Sequence, residues 1–292
     1  MLAANNSLIL SIIIPVYNRQ DSLEHLLSVL SKSILDAAFE QQVEVIVIDD
    51  YSSAAVYLPE FPFPVTLKKN QKNRGAPYSR QRGFELSQAR HIHFHDSDDS
   101  ITENWLYEVV QQLSNQPEID LLMTGRTDQD IDGENFRSQK YFHKQVLHTD
   151  KVQSRLVYRN CMGPLGGVTF SRQVLEKIEF KNFASCQDWQ MYIDAIEYAE
   201  VLSSRPDIKF IFNKTGDDRI SYHPRKKILG HLQLATITAK NSVFKRNIRL
   251  FYLYTCKQHI YNKGGAILKF YKRNRLGIVL NFLIVSIYWR LP

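Results

Sequence analysis

Apolar residues along this chain come in two textures: short unbroken runs rich in Ile and Val, and longer segments in which leucine recurs every three or four positions. The first run, Ser7–Val16, has the length and hydrophobicity of a signal-peptide core. No basic residues precede it, no small-residue cleavage site follows, and Pro15 ends it, so it reads as a buried strand. After the turn Tyr17-Asn18-Arg19, Asp21 is the expected N-cap, with Glu24 three positions on and Leu23, Leu26, Leu27 and Leu30 at helical spacing. Val43–Asp50 is a second strand, β-branched almost throughout, closing on carboxylates with Tyr51-Ser52-Ser53 as its turn. A third strand is expected at Val65–Lys68, then a loop, Asn73–Pro77, feeding a helix from about Tyr78 to Ala89.

The next strand carries the densest candidate chemistry. In His91–His95, Ile92 and Phe94 share one face at period two, and the run stops at Asp96, Asp98 and Asp99. Three carboxylates this close repel one another, and a hard divalent cation, Mg²⁺ or Mn²⁺, relieves the repulsion while taking up diphosphate oxygens. The other reading is a solvated acidic turn capping the helix that begins near Thr102. His91, His93 and His95 alternate on the strand and are expected around a sheet surface, without a zinc site.

Beyond this point Trp105–Leu113 reads as a helix and Asp120–Thr124 as a strand, whereas Asp128–Lys151 is polar and irregular, its acidic residues a solvated loop. Gly163–Phe170 is glycine-rich before an apolar strand, which suits either a close backbone approach to a ligand or a plain turn. A helix over Trp189–Ala199 puts Asp188 in its first turn, where the helix dipole favours the ionised form. Strands alternating with helices, with polar groups gathered at strand C-termini, predict an open parallel sheet with a ligand crevice at that end. No Gly-x-Gly-x-x-Gly and no lysine-bearing phosphate loop is present, so phosphates would be held by metal and side chains.

The order IIIPVYN, VIVIDDYSS, NRGAPYSRQRG, IHFHDSDD, followed by Ser185-Cys186-Gln187-Asp188-Trp189, resembles the inverting glycosyltransferases of family 2 with the GT-A fold, of the kind found in bacterial polysaccharide and lipopolysaccharide biosynthesis. The resemblance covers about the first 225 residues. It implies an α/β, Rossmann-like, mostly parallel sheet with flanking helices: a catalytic domain over 1–225, its nucleotide-binding half at 1–100 and its acceptor half at 101–225. It also implies roles. Pro15 and Tyr17 would line the base pocket, with Asp49 and Asp50 as hydrogen-bond acceptors for the base; Arg80 would reach the base or the phosphates, and Asp96 the ribose or a metal-bound water. Asp98, with Asp99 and a later histidine matched by His223, would hold Mn²⁺ or Mg²⁺. Asp188 would be the general base that deprotonates the acceptor hydroxyl. Gln187 stands where many relatives carry another residue, which leaves no second acid at that place.

Composition changes the picture mainly at the C-terminus. The chain has 292 residues, 44% of them hydrophobic, enough for a full core. Its cysteines, Cys161, Cys186 and Cys256, are widely spaced and odd in number, which suits a reducing compartment. After Asp218 there is no acidic residue, while residues 219–292 hold 15 Lys and Arg against an otherwise acidic body. Such a block implies a polyanionic partner. Aromatic residues interleave the basic ones, and Leu276–Trp289 is an apolar run too short to span a bilayer comfortably but suited to an interface. A basic helical tail over 226–292 directed by 240–292 to an anionic membrane surface is therefore expected, the other reading being a C-terminal helix packed on the catalytic domain; the protein is expected to be cytoplasmic and peripheral on the inner face, acting on a glycan or lipid-linked acceptor. No nucleic acid is expected. The competing readings are a binding protein on a transferase-like scaffold and a nucleotidyltransferase.

Overall fold

The computed structural model describes residues 8–129, 135–139, 146–156 and 160–213, together with positions 226, 230, 233 and 234. In chain order the elements are β1 (Leu10–Val16), α1 (Gln20–Asp36), β2 (Val43–Asp49), β3 (Val65–Lys69), α2 (Ala76–Leu86), β4 (His91–Phe94), β5 (Ser100–Ile101) and α3 (Trp105–Asn115). They continue as β6 (Leu121–Gln129), β7 (Asn135–Gln139), β8 (Val146–Leu147), α4 (Thr149–Leu156), β9 (Val168–Ser171), α5 (Arg172–Leu175), α6 (Gln187–Ala195) and β10 (Leu202–Asn213). The main sheet runs β3-β2-β1-β4-β9-β6-β10-β5. Its first half, β3 to β4, is parallel throughout. Beyond it β9 runs antiparallel to both β4 and β6, and β10 returns parallel to β6.

Within the parallel half, β1, β2 and β4 are buried on both faces, which explains the unbroken Ile/Val runs, while β3 at the edge is partly exposed. Along β1, Ile12, Ile14 and Val16 meet Leu23, Leu26, Leu27 and Leu30 of α1 and the apolar side of α3. Ile13 points the other way, into a second core with Ile92, Phe94, Phe170 and Tyr192. Gly83 of α2 lies directly over Ile13, and a Cβ there would run into that side chain, so the helix approaches β1 only because the position is glycine.

Several boundaries differ from the sequence expectation for local reasons. Helix α1 starts at Gln20, whose side chain donates to Glu24 Oε1 at 2.7 Å and to the Tyr57 carbonyl at 2.9 Å; Asp21 is therefore inside the first turn and caps nothing. Helix α2 begins at Ala76 because Pro77, lacking an N–H, sits in the first turn, where none is needed. Part of the stretch expected to be irregular forms β7, β8 and the start of α4. Asp128, expected in a solvated loop, is fully buried on β6 and pairs with Arg126 at 2.6 Å. The glycines of 163–170 serve packing: Cβ atoms at Gly166 and Gly167 would stand 3.1 and 3.2 Å from the Phe210 ring.

The largest correction concerns the histidines. His91, His93 and His95 are buried, not spread over a sheet surface. They occupy the face of β4 opposite Ile92 and Phe94, with the His93 ring centroid 4.6 Å from that of Trp105 on α3.

Candidate active site

Strand order dictates where a crevice must open. The chain passes from β1 outward to β2 and β3, then returns to β4 on the other side of β1, so the loops after β1 and β4 diverge at a topological switch point. Arg19, just past β1, and Asp98, just past β4, close this gap with a 2.7 Å ion pair. The loops after β1 and β2 are stitched together as well. The Asn18 N–H donates to Ser52 Oγ at 2.9 Å, and the Ser53 N–H donates to Asn18 Oδ1 at 2.9 Å. Asn18 and Tyr51 hold positive φ values of 52° and 70° there, and such strain in non-glycine residues persists only where surrounding contacts enforce it.

Tyr17 projects from this rim 48% exposed, while Pro15 is buried within β1 opposite Ile48. The two carboxylates ending β2 are both deeply placed. Asp49 accepts from the Ser52 N–H at 2.7 Å and faces Lys69 Nζ at 3.5 Å. Asp50 accepts from Asn70 Nδ2 at 2.8 Å, the Arg74 N–H at 2.9 Å and the Gly75 N–H at 2.7 Å. Asp50 thus serves the N-terminus of α2, which has no capping side chain of its own.

Arg80, on α2, reaches across the crevice. Its Nη2 donates to Asp96 Oδ1 at 2.6 Å and its Nη1 to Gln187 Oε1 at 3.4 Å. Burial disfavours the ionised form of Asp96, but the charge and hydrogen bond of Arg80 outweigh it, with smaller contributions from His95 and Arg19, and hold this carboxyl below its ordinary value. Asp99 is buried and accepts from the Asn213 N–H at 3.2 Å, fixing the loop to β10.

Among the described residues no group of three His, Cys, Asp or Glu side chains is gathered as a metal site, and His223 lies outside them. The chemistry of Asp96 and Asp98 nonetheless suits a hard cation. Both offer only carboxylate oxygens, and Arg19 already brings a positive charge that acts on the two together. Asp99, committed to the β10 backbone, is less suited than Asp98.

Asp188 lies in the first turn of α6, whose N-cap residue Cys186 holds φ at 59°. Its Oδ1 accepts from the Trp189 N–H at 2.7 Å and its Oδ2 from Asn160 Nδ2 at 2.9 Å. Burial pushes its carboxyl up to about 6; the Trp189 N–H and Arg80 work against that rise, and Asp96 adds to it. Arg80 therefore bonds to Asp96 from the first half of the chain and to Gln187 from the second, and its charge also acts on Asp188. Asn160 has no signal in the sequence pattern, lying between Arg159 and Cys161 with no motif around it.

This sheet, with its crevice at the switch point, is the GT-A fold. Crystal structures of Staphylococcus aureus TarS share it: residues 1–349 in complex with UDP-GlcNAc match with a TM-score of 0.64 at 17% identity, covering 95% of this chain and 79% of that one. A mannosyltransferase from Pyrobaculum calidifontis, in complex with GDP-Man and Mn²⁺, matches with a TM-score of 0.55 at 14% identity, covering 96% and 86%. The family described as "Glycosyl transferase family 2" matches residues 11–179, more than half of the sequence, and the chain belongs to that family. An uncharacterized glycosyltransferase of Haemophilus influenzae is 33% identical over 114 residues, 39% of this chain but only 37% of that protein. The poly(ribitol-phosphate) beta-N-acetylglucosaminyltransferase TarP of Staphylococcus aureus is 23% identical over 244 residues, covering 80% of this chain and 71% of TarP.

Proposed function

We propose that this protein is an inverting glycosyltransferase that moves a hexosyl or N-acetylhexosaminyl group from a UDP-sugar to a hydroxyl of a glycan or lipid-linked acceptor. The observation that carries the reading is the line Asp96–Arg80–Gln187 leading to Asp188. It sets a carboxylate of raised pKa within the field of the Arg80 guanidinium, on the other side of the crevice from the Asp96 end of the line. A base poised near neutrality accepts a proton readily without being protonated most of the time.

In this scheme Tyr17 stacks on the base above Pro15. Asp49 and Asp50 shape the bottom of that pocket, Asp50 chiefly by holding Arg74 and Gly75 in place. Arg80 faces the diphosphate and Asp96 the ribose. Asp188 takes the acceptor O–H proton as the acceptor oxygen bonds to the anomeric carbon; the bond from that carbon to the diphosphate breaks, its electron pair leaving with the diphosphate. A Mn²⁺ or Mg²⁺ ion held by Asp98, with Asp99 and His223 in support, would stabilise the negative charge of the leaving group. The relatives' UDP-GlcNAc and poly(ribitol-phosphate) make UDP-GlcNAc the first donor to try.

We assign residues 1–225 to catalysis and 226–292 to a basic tail whose Gln233 and Leu234 pack on the catalytic core, and whose residues 240–292 carry the enzyme to an anionic membrane surface on the cytoplasmic side, where a lipid-linked acceptor would be met. Basic residues near such a surface contribute about 1 kcal/mol each. Among the described residues no helix is long and apolar enough to cross a membrane.

The test is binding and hydrolysis of UDP- and GDP-sugars with Mn²⁺, comparing the intact protein with Asp98→Ala and Asp188→Ala. The expected result is one UDP-sugar bound, weakened binding in Asp98→Ala, and binding without turnover in Asp188→Ala. No binding of any nucleotide sugar would overturn the reading. A lipid-flotation assay on the full chain and on a chain ending at residue 239 tests the tail: equal flotation of both would remove the membrane role.

A further inference from the structure

We infer that Asn160 is a positioning residue for Asp188, setting the orientation and proton affinity of that carboxylate; the inference rests on the reading of Asp188 as the base. Asn160 Oδ1 accepts from the N–H groups of Met162 at 3.1 Å and Gly163 at 3.0 Å. Two converging backbone donors can be met only by the oxygen of an amide, so the nitrogen end is assigned by chemistry as well as by placement. Of the two protons on Nδ2, one goes to the Gly163 carbonyl at 2.9 Å and the other to Asp188 Oδ2 at 2.9 Å. Each hydrogen-bonding group of the Asn160 amide is thereby engaged, and the side chain has no spare rotation.

The turn that fixes Asn160 depends on Gly163, whose φ of 81° is open to glycine and costly for other residues. This gives the glycine-rich stretch a purpose beyond a turn: it clamps the amide that meets the base. With Oδ1 of Asp188 tied to the Trp189 N–H, the Asn160 bond leaves the carboxylate one fixed plane and a limited set of lone pairs for an incoming hydroxyl. A donor to the ionised carboxylate favours the charged form, so Asn160 restrains the rise that burial imposes.

The test is a titration of the Asp188 carboxyl by ¹³C NMR in the full chain, its resonance assigned from its loss in Asp188→Asn. Asn160→Ala removes the donor; Asn160→Ser keeps a side-chain oxygen that can accept from the Met162 N–H but is too short to reach Asp188, and adds no charge. Expected in both is an upward shift of the Asp188 titration, with the acid limb of UDP-sugar hydrolysis moving alike and UDP binding unchanged. A purely structural Asn160 would lower the melting temperature of Asn160→Ala but leave the Asp188 titration of the folded Asn160→Ser protein in place, and that result would overturn the assignment alone. Turnover persisting in Asp188→Asn would overturn the base reading and this assignment with it.

Discussion

Arg80 and Asp96, sixteen residues apart, meet at 2.6 Å between a helix and the end of a neighbouring strand, and the pair leaves one amino group of Arg80 facing Gln187. One guanidinium thereby holds the two halves of the crevice in register. Arg80→Ala is expected to lower transfer about 100-fold, the magnitude seen when one preorganised donor is removed from a site where charge develops. It should also shift the acid limb of the pH–rate profile upward, because Arg80 counteracts the rise of the Asp188 pKa. Steady-state rates across pH 5 to 9 check both.

On the reading of Asp188 as the base, it links activity to stability with opposite signs. Its folded-state pKa of about 6 lies above the ordinary carboxylate value, so between about pH 4 and pH 6 the folded chain keeps a proton that the unfolded chain has lost. Stability from this group is full below that window and falls as pH rises through it, by at most about 3 kcal/mol. Asp188→Asn should abolish turnover yet raise the melting temperature at pH 8, with the gain vanishing at pH 4. Thermal melts at the two pH values decide it.

The buried histidines act at the acid end. His93 and His95 share a hydrogen bond at 3.2 Å, and burial lowers the pKa of both, that of His95 to about 4. Each is neutral in the fold but takes up a proton near pH 6.5 when unfolded, so stability is lost as pH drops from about 6.5 toward 4. His95 alone contributes about 3 kcal/mol to that loss. Urea midpoints should fall over this window in the parent protein and less steeply in His95→Gln.

On the reading of Asp98 as a metal ligand, Arg19 and a divalent cation compete for one carboxylate, since Arg19 already pairs with Asp98 Oδ2 at 2.7 Å and Asp98 is 17% exposed. Arg19→Ala is expected to tighten Mn²⁺ binding in the presence of UDP, and Asp98→Ala to remove it. Electron paramagnetic resonance of free Mn²⁺ gives the measurement, and weaker Mn²⁺ binding in Arg19→Ala would contradict the competition.

Packing sets one further limit. Gly83→Ala drives a methyl group into Ile13, and the overpacking should cost about 1–3 kcal/mol, visible as a lower urea midpoint with an unchanged slope.

Local periodicity determines much of this protein by itself. Ile/Val runs at Ser7–Val16 and Val43–Asp50, leucines at helical spacing and carboxylates at strand ends suffice for the βα units and the crevice end, because each is written within a few consecutive residues. The motif order carried the family, and Asp188 was placed in the first turn of its helix. Only the tertiary structure decided which charges meet. Arg19 finds Asp98, Arg80 finds Asp96 and Gln187, and Asn160 finds Asp188 across separations of 16 to 107 residues. Such pairings depend on strand order and on which helix covers which face, neither of which is encoded at short range. The histidines show the same physics. Alternation placed all three on one face of a strand, but α3 packing over that face turned an expected surface into core.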